Sequence, residues 1–179
     1  MNLNDLAKTV HAANIRWWQD LETGEPLDRN DGEMLMLVIT ELSEAVDGIR
    51  KNLMDDKLPH RKMEEVEMAD TLIRLLDFSG GRGLILTDIQ PSSMDIGTVP
   101  KNKCEAILLL CGKIFSVYQH VGDKVRCGDL VSIAIVEIRT YCAAFCLDLD
   151  GAYSDKMLFN SKRKDHTIAH RKSEGGKKF

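Results

Sequence analysis

Glu41-Leu42-Ser43-Glu44 and Glu67-Met68-Ala69-Asp70, two acid pairs with 22 residues between them, each interrupt an otherwise apolar run of helical period. Residues three apart share a helix face, so each pair aims two carboxylates in one direction. Placed at 100° steps, Met34, Val38, Leu42, Ala45 and Ile49 form an apolar centre, and Glu41 falls inside that sector with Glu44 at its edge. On the next helix Glu67, Asp70, Arg74 and Asp77 make a polar stripe beside Met68, Ala69, Leu72, Leu75 and Leu76. A solvated acidic face accounts well for Glu64, Glu65 and Asp47. It accounts poorly for Glu41, because an unpaired buried carboxylate costs several kcal/mol and is normally protonated or metal-bound. Arg74 could instead neutralise the acids in a metal-free network. If the helices pack side by side, four hard oxygen ligands converge, which suits Mg²⁺ or Mn²⁺ and a phosphate-bearing substrate.

The period of 3.6 runs through the whole chain and predicts an all-α fold, a bundle of about five helices. These are expected over Leu3–Trp18, Gly32–Lys51 with Asp31 as N-cap, His60–Phe78 stopping at Gly80-Gly81, Lys103–His120, and Gly128–Cys146. Thr23-Gly24-Glu25-Pro26 breaks the first helix. Asp88–Asn102, with Pro91, Gly97 and Pro100, reads as a loop, and Asp150 or Ser154 as the cap of a short last helix. Residues 1–161 are then expected as a helical domain and 162–179 as a basic C-terminal tail, for which closing on the acidic site is one of two readings.

A chain of 179 residues, 44% hydrophobic and 29% charged, fits one ordinary globular domain or a small one completed by a partner copy. No apolar run approaches the roughly 20 residues of a bilayer span, and Met1–Ala13 lacks a signal-peptide pattern, so the expected location is the cytoplasm. Five cysteines (Cys104, Cys111, Cys127, Cys142, Cys146), without any Cys-x-x-Cys, are expected as buried reduced thiols. Residues 162–178 hold seven Lys or Arg against two acids, a net of +5 that leaves −9 for the rest of a chain at −4. Such a tail either binds nucleic acid or folds back over an anionic ligand. No Glu-x-x-His di-iron pattern is present, and His166 and His170 lack the His-Glu pair of helical zinc motifs. Neither a phosphate loop with Lys-Ser/Thr nor a Gly-x-Ser-x-Gly elbow occurs, and no EF-hand loop does.

The two acid pairs at this separation resemble the MazG-like nucleoside triphosphate pyrophosphohydrolases of phage and bacterial type, within the all-α NTP pyrophosphatase group that includes dimeric dUTPases and dCTP pyrophosphatases. Trp17-Trp18, the linker Arg50–Pro59, Ala69–Asp77, Lys156–Asn160, Arg163, Asp165-His166 and Gly175–Phe179 are similar to segments of the same group. Ser79–Lys103 is the least recognisable part, and Lys57 stands where a His is expected. The resemblance implies hydrolysis of an NTP or dNTP to the monophosphate and pyrophosphate, with Mg²⁺ or Mn²⁺ on Glu41, Glu44, Glu67 and Asp70. Asn14, Trp17 and Trp18 are the candidates for the base; core packing is the alternative for each Trp. Lys51, Lys156, Arg163 and Lys177 are the candidates for the phosphates. A homodimer or homotetramer is implied, with the second helix suited to an interface. No membrane partner is expected. The competing class is a helical nucleic-acid-binding module working through the tail.

Overall fold

The computed structural model describes residues 2–163, 167–173 and 175–176, with the side chains of Ser93, Met94, Asp95 and Ile168 excepted. Eight α-helices and one 3-10 turn account for its regular structure, and among these residues there is no β-strand. The helices are α1 (Leu3–Asn14), α2 (Asp31–Lys51), α3 (Met63–Arg82), α4 (Ser93–Thr98), α5 (Lys103–Tyr118), α6 (Lys124–Ala144), α7 (Leu149–Ser161) and α8 (Ile168–Lys172). The all-α expectation is met, but the number of helices exceeds five. Two short helices, α4 inside the expected loop and α8 inside the tail, make up part of the excess.

Helix α3 is the axis of the bundle, touching α1, α2, α6 and α7. It is buried on nearly every side, with Val66, Met68, Ala69, Leu72, Leu75, Leu76 and Phe78 in the core. A helix so enclosed must satisfy its polar side chains locally. The Thr71 hydroxyl therefore donates to the Glu67 carbonyl at 2.7 Å and Ser79 to the Leu75 carbonyl at 2.7 Å. Glu64, expected on a solvated face, is buried instead. It accepts the Tyr141 hydroxyl and the Lys103 ammonium, each at 2.6 Å, and so ties α3 to α5 and α6. Both partners lie far along the chain, so local periodicity carries no sign of them.

The helix ends correct several expectations. Asn30, not Asp31, caps α2, its side-chain oxygen accepting the Glu33 N–H at 3.0 Å. Asp148 caps α7, accepting from Gly151 N–H at 3.0 Å, in place of Asp150 or Ser154. The first helix passes into a 3-10 turn, Ile15–Trp18. Helix α3 runs through Gly80-Gly81 and ends only at Gly83, whose φ of 61° provides the left-handed cap. Gly80 and Gly81 serve close approach: a Cβ at Gly80 would stand 2.6 Å from the Ala7 carbonyl oxygen, and one at Gly81 would overlap the Trp18 ring. Of the cysteines, Cys127 and Cys142 are buried, Cys104 and Cys111 half-buried, and Cys146, expected inside, is exposed just beyond α6; all five are unbridged. No single described helix is long and apolar enough to cross a membrane.

Gly81→Ala is expected to cost about 1–3 kcal/mol, because the indole it would displace is enclosed in core. Urea denaturation with Trp18 as one of the fluorophores would register the loss, whereas Gly97→Ala, which meets nothing within 4 Å, should leave the midpoint nearly unchanged.

Candidate metal centre and adjoining cleft

Packing of α2 against α3 brings Glu41 onto Glu67 and Asp70. One carboxylate oxygen from each lies within 4.8 Å of the other two. Glu41 is 6% exposed and Glu67 3% exposed, while Asp70 is half-buried. The Oε2 of Glu67 is buried without a hydrogen-bond partner among the described residues. Such an oxygen is expensive to desolvate and is a natural place for a cation. Oxygens around an octahedral Mg²⁺ stand roughly 3–4 Å apart, given a metal–oxygen distance near 2.1 Å. The trio therefore needs only small side-chain adjustment to fit a hard divalent ion.

Glu44, expected as the fourth ligand, is exposed and lies outside the trio. An i, i+3 pair is splayed by about 60° around the axis, so burying Glu41 leaves Glu44 at the rim. Partial desolvation, and then the Glu41 charge, still raise its carboxyl above the ordinary range.

Two cations neutralise the cluster. Lys156, from α7 and 2% exposed, donates to Asp70 Oδ2 at 2.6 Å. Arg74, one turn beyond Asp70, donates through Nε to Glu41 Oε1. Asp55 sits buried in the loop between α2 and α3, accepting the backbone N–H groups of Lys57 and Leu58 at 2.9 and 2.7 Å. Its charge favours the charged form of Lys156, as do Asp70 and Glu67, against the cost of burial. Desolvation and the charge of Asp70 push the Glu67 carboxyl far up, opposed by Lys156. Desolvation also lifts Asp70 to about 6, with Lys156 pulling down and Glu41 pushing up.

Beside the acids a cleft is lined by Asn14, Trp17, Arg29, Asp70, Arg74 and Arg163, with Asp77 and Asn160 in its walls. Asn14, Trp17 and Arg163 are thus placed together next to Asp70. The Arg171 guanidinium of α8 lies 4.1 Å from the centre of the Trp17 ring and donates to the Arg16 carbonyl, so part of the tail covers this edge. Trp18 is not in the cleft: it is buried, its Nε1–H donates to Asp77 Oδ1 at 3.0 Å, and His11 packs edge-on at 4.9 Å. Adjacent residues of a turn point in different directions, so only one of the two indoles can face out. Lys51 is exposed and paired with Asp47 at 2.7 Å, away from the trio's own ion pairs. Lys177 lies outside the described residues, as do Asp165 and His166.

Arg29 and Asp77 went unnoticed as cleft residues. Asp77 also takes His11 Nδ1 at 2.9 Å and binds α1 to α3. Arg29 is 8% exposed, faces the Trp18 ring at 5.7 Å, and leaves Nη2 unpartnered. It sits in the loop ahead of α2, where no periodicity signals burial. Asn160 Oδ1 is likewise buried without a partner. Compared with protein-family models, with curated proteins and with solved structures, the chain gives no significant match.

Carboxyls whose folded-state pKa is raised stabilise the fold fully below the unfolded value of about 4, and that contribution is lost as pH rises through the folded value. In EDTA the protein should therefore lose stability from about pH 4 upward, through about 6 for Asp70 and higher for Glu67. Glu67→Gln should flatten this fall and gain at least about 1.4 kcal/mol at pH 8, the equivalent of one pKa unit. A divalent ion held by the trio would require the ionised carboxylates, so saturating Mg²⁺ is expected to reverse the trend in the unsubstituted protein. Urea midpoints at pH 5 and pH 8 decide it.

Proposed function

We propose that the protein is a Mg²⁺-dependent nucleoside triphosphate pyrophosphohydrolase of the MazG-like, all-α NTP pyrophosphatase type. The observation that carries the reading is Glu67: a buried carboxylate with an unpartnered oxygen, converging with Glu41 and Asp70 beside a cleft rich in arginine. In the reaction water adds to a phosphorus of the anhydride, the bond between the α- and β-phosphoryl groups breaks, and monophosphate and pyrophosphate leave with the release of a proton. Bound Mg²⁺ or Mn²⁺ supplies charge neutralisation of the phosphates and lowers the pKa of a coordinated water.

The chain's own residues do the rest. Glu41, Glu67 and Asp70 hold the ion, and Glu44 at the rim is placed to accept a proton from water on the solvent side. Arg29, Arg74 and Arg163 present guanidinium donors to phosphate oxygens. Trp17 offers a stacking face for the base and Asn14 an amide for its edge. Phosphoryl transfer is governed by positioning and electrostatics, so no nucleophilic Ser or Cys is required. The cleft holds about 90 Å³, below the roughly 300–1,000 Å³ of small-molecule sites. Entry of a nucleotide would therefore require the edge covered by Arg171 on Trp17 to open.

Self-association belongs to the same proposal. Met36, Phe115 and Tyr118 are exposed along α2 and α5 around an apolar hollow with Leu35 and Ile39, a surface fit to meet another copy. The nucleic-acid reading has less support, because two tail cations are used inside the chain: Arg171 on Trp17, and Lys172 on Glu22 at 3.0 Å.

A panel of NTPs and dNTPs with Mg²⁺, Mn²⁺ or EDTA, resolved by chromatography, should yield monophosphate and pyrophosphate only with metal. Glu67→Gln should lower turnover by roughly 10²-fold or more while the circular dichroism spectrum is kept. Diphosphate plus orthophosphate as products would reject the proposal. Salt-sensitive DNA binding retained in Glu67→Gln, with no nucleotide hydrolysis in the unsubstituted protein, would favour the binding module.

A further inference from the structure

Lys156 and Arg74 hold the positions of counter-ions at a site otherwise built for a divalent cation. Lys156 is 2% exposed, and its ammonium donates to Asp70 Oδ2 at 2.6 Å. Arg74 is bound to Glu41 and also lines the cleft that leads away from the acids. Each of these two carboxylates therefore already carries a cation, whereas Glu67, 3% exposed, has an oxygen with none.

A divalent ion seated on the trio shares Glu41 and Asp70 with an ammonium and a guanidinium. Like charges on a common, desolvated carboxylate repel one another strongly. Leaving either cation buried and unpaired is equally unfavourable. The way out is an anion that takes over the displaced cations, and the phosphate oxygens of a substrate in the neighbouring cleft are such acceptors. Arg74 lies on the wall between the two sites, and Lys156 reaches Asp70, which also lines the cleft. Two long side chains can change partners without movement of α3 or α7.

We propose, on the basis of the pyrophosphohydrolase reading, that Lys156 and Arg74 are exchangeable counter-ions: they neutralise Asp70 and Glu41 before metal binds and pass to phosphate oxygens when metal and substrate enter. Metal and polyphosphate then bind cooperatively, each removing the cost of the other. The exchange also keeps the buried acids neutralised between turnovers, so the empty site is not dominated by carboxylate repulsion.

The test follows Lys156 by lysine-directed acylation and mass spectrometry on the full chain, with Mn²⁺ occupancy read separately by electron paramagnetic resonance. Lys156 should be acylated slowly in EDTA, about 10-fold or more faster at saturating Mn²⁺, and slowly again when imidodiphosphate is added with free Mn²⁺ held constant. Lys113, paired with Glu137 on the α5–α6 surface at 3.1 Å, should not respond and serves as the internal control. Lys156→Met should bind Mn²⁺ more tightly without phosphate and lose most of the gain that imidodiphosphate gives the unsubstituted protein. Mn²⁺ bound with Lys156 reactivity unchanged would overturn the exchange while leaving the metal centre standing. No Mn²⁺ binding would overturn both. Should Lys156→Met fail to fold, the acylation measurement on the unsubstituted chain decides alone.

Discussion

Three carboxylates pressed together between α2 and α3 are the constraint around which this molecule is arranged. Apolar contact between these helices buries Glu41 and Glu67, and the acids would drive them apart were their charge left bare. Three neighbouring side chains answer this problem in part. Lys156 arrives from α7, Arg74 from α3 itself, and Asp55 supports Lys156 from the intervening loop. The result is a bundle that keeps mutually repelling acids, two of them buried, between two of its packed helices.

The same economy of partners appears two turns beyond Asp70 along α3. A single oxygen of Asp77 accepts from both His11 and Trp18, fastening α1 and the 3-10 turn to the central helix. With Trp18 fixed inward and enclosed by Gly81, the neighbouring Trp17 is left on the cleft side. The orientation of Trp17 toward the cleft thus follows from how the neighbouring Trp18 is held.

Much of this was readable from the residues. The helical period located the main helices, and Glu41 stood out because it fell inside an apolar sector where a surface acid does not belong. The reading failed where a residue's role depended on a distant part of the chain. Glu64 looked like one more solvated acid because Tyr141 and Lys103 follow it by 77 and 39 residues. Gly80-Gly81 looked like a stop because glycine favours ends as well as close approach, and only the position of α1 and Trp18 distinguishes the two. Asn30 and Asp31 are both good caps, and one step of register separates them. Arg29 lies in an irregular segment, so no pattern could mark it as buried.

Asp155 and Lys156 are neighbours on α7 and look in different directions. The aspartate receives Arg61 at 2.7 Å and His60 at 3.1 Å from the loop before α3, and the lysine enters the acid cluster. Consecutive helical residues are turned by about 100°, so these two anchorages admit a single phase of the helix. Gain or loss of one residue between Asp148, where Arg61 is also bound, and Asp155 would turn Asp155 and Lys156 together by about 100° relative to Asp148, so the two sets of contacts could not be kept at once. Within α7, replacement of a residue other than Asp148, Asp155 or Lys156 is therefore expected to disturb these contacts less than an insertion does.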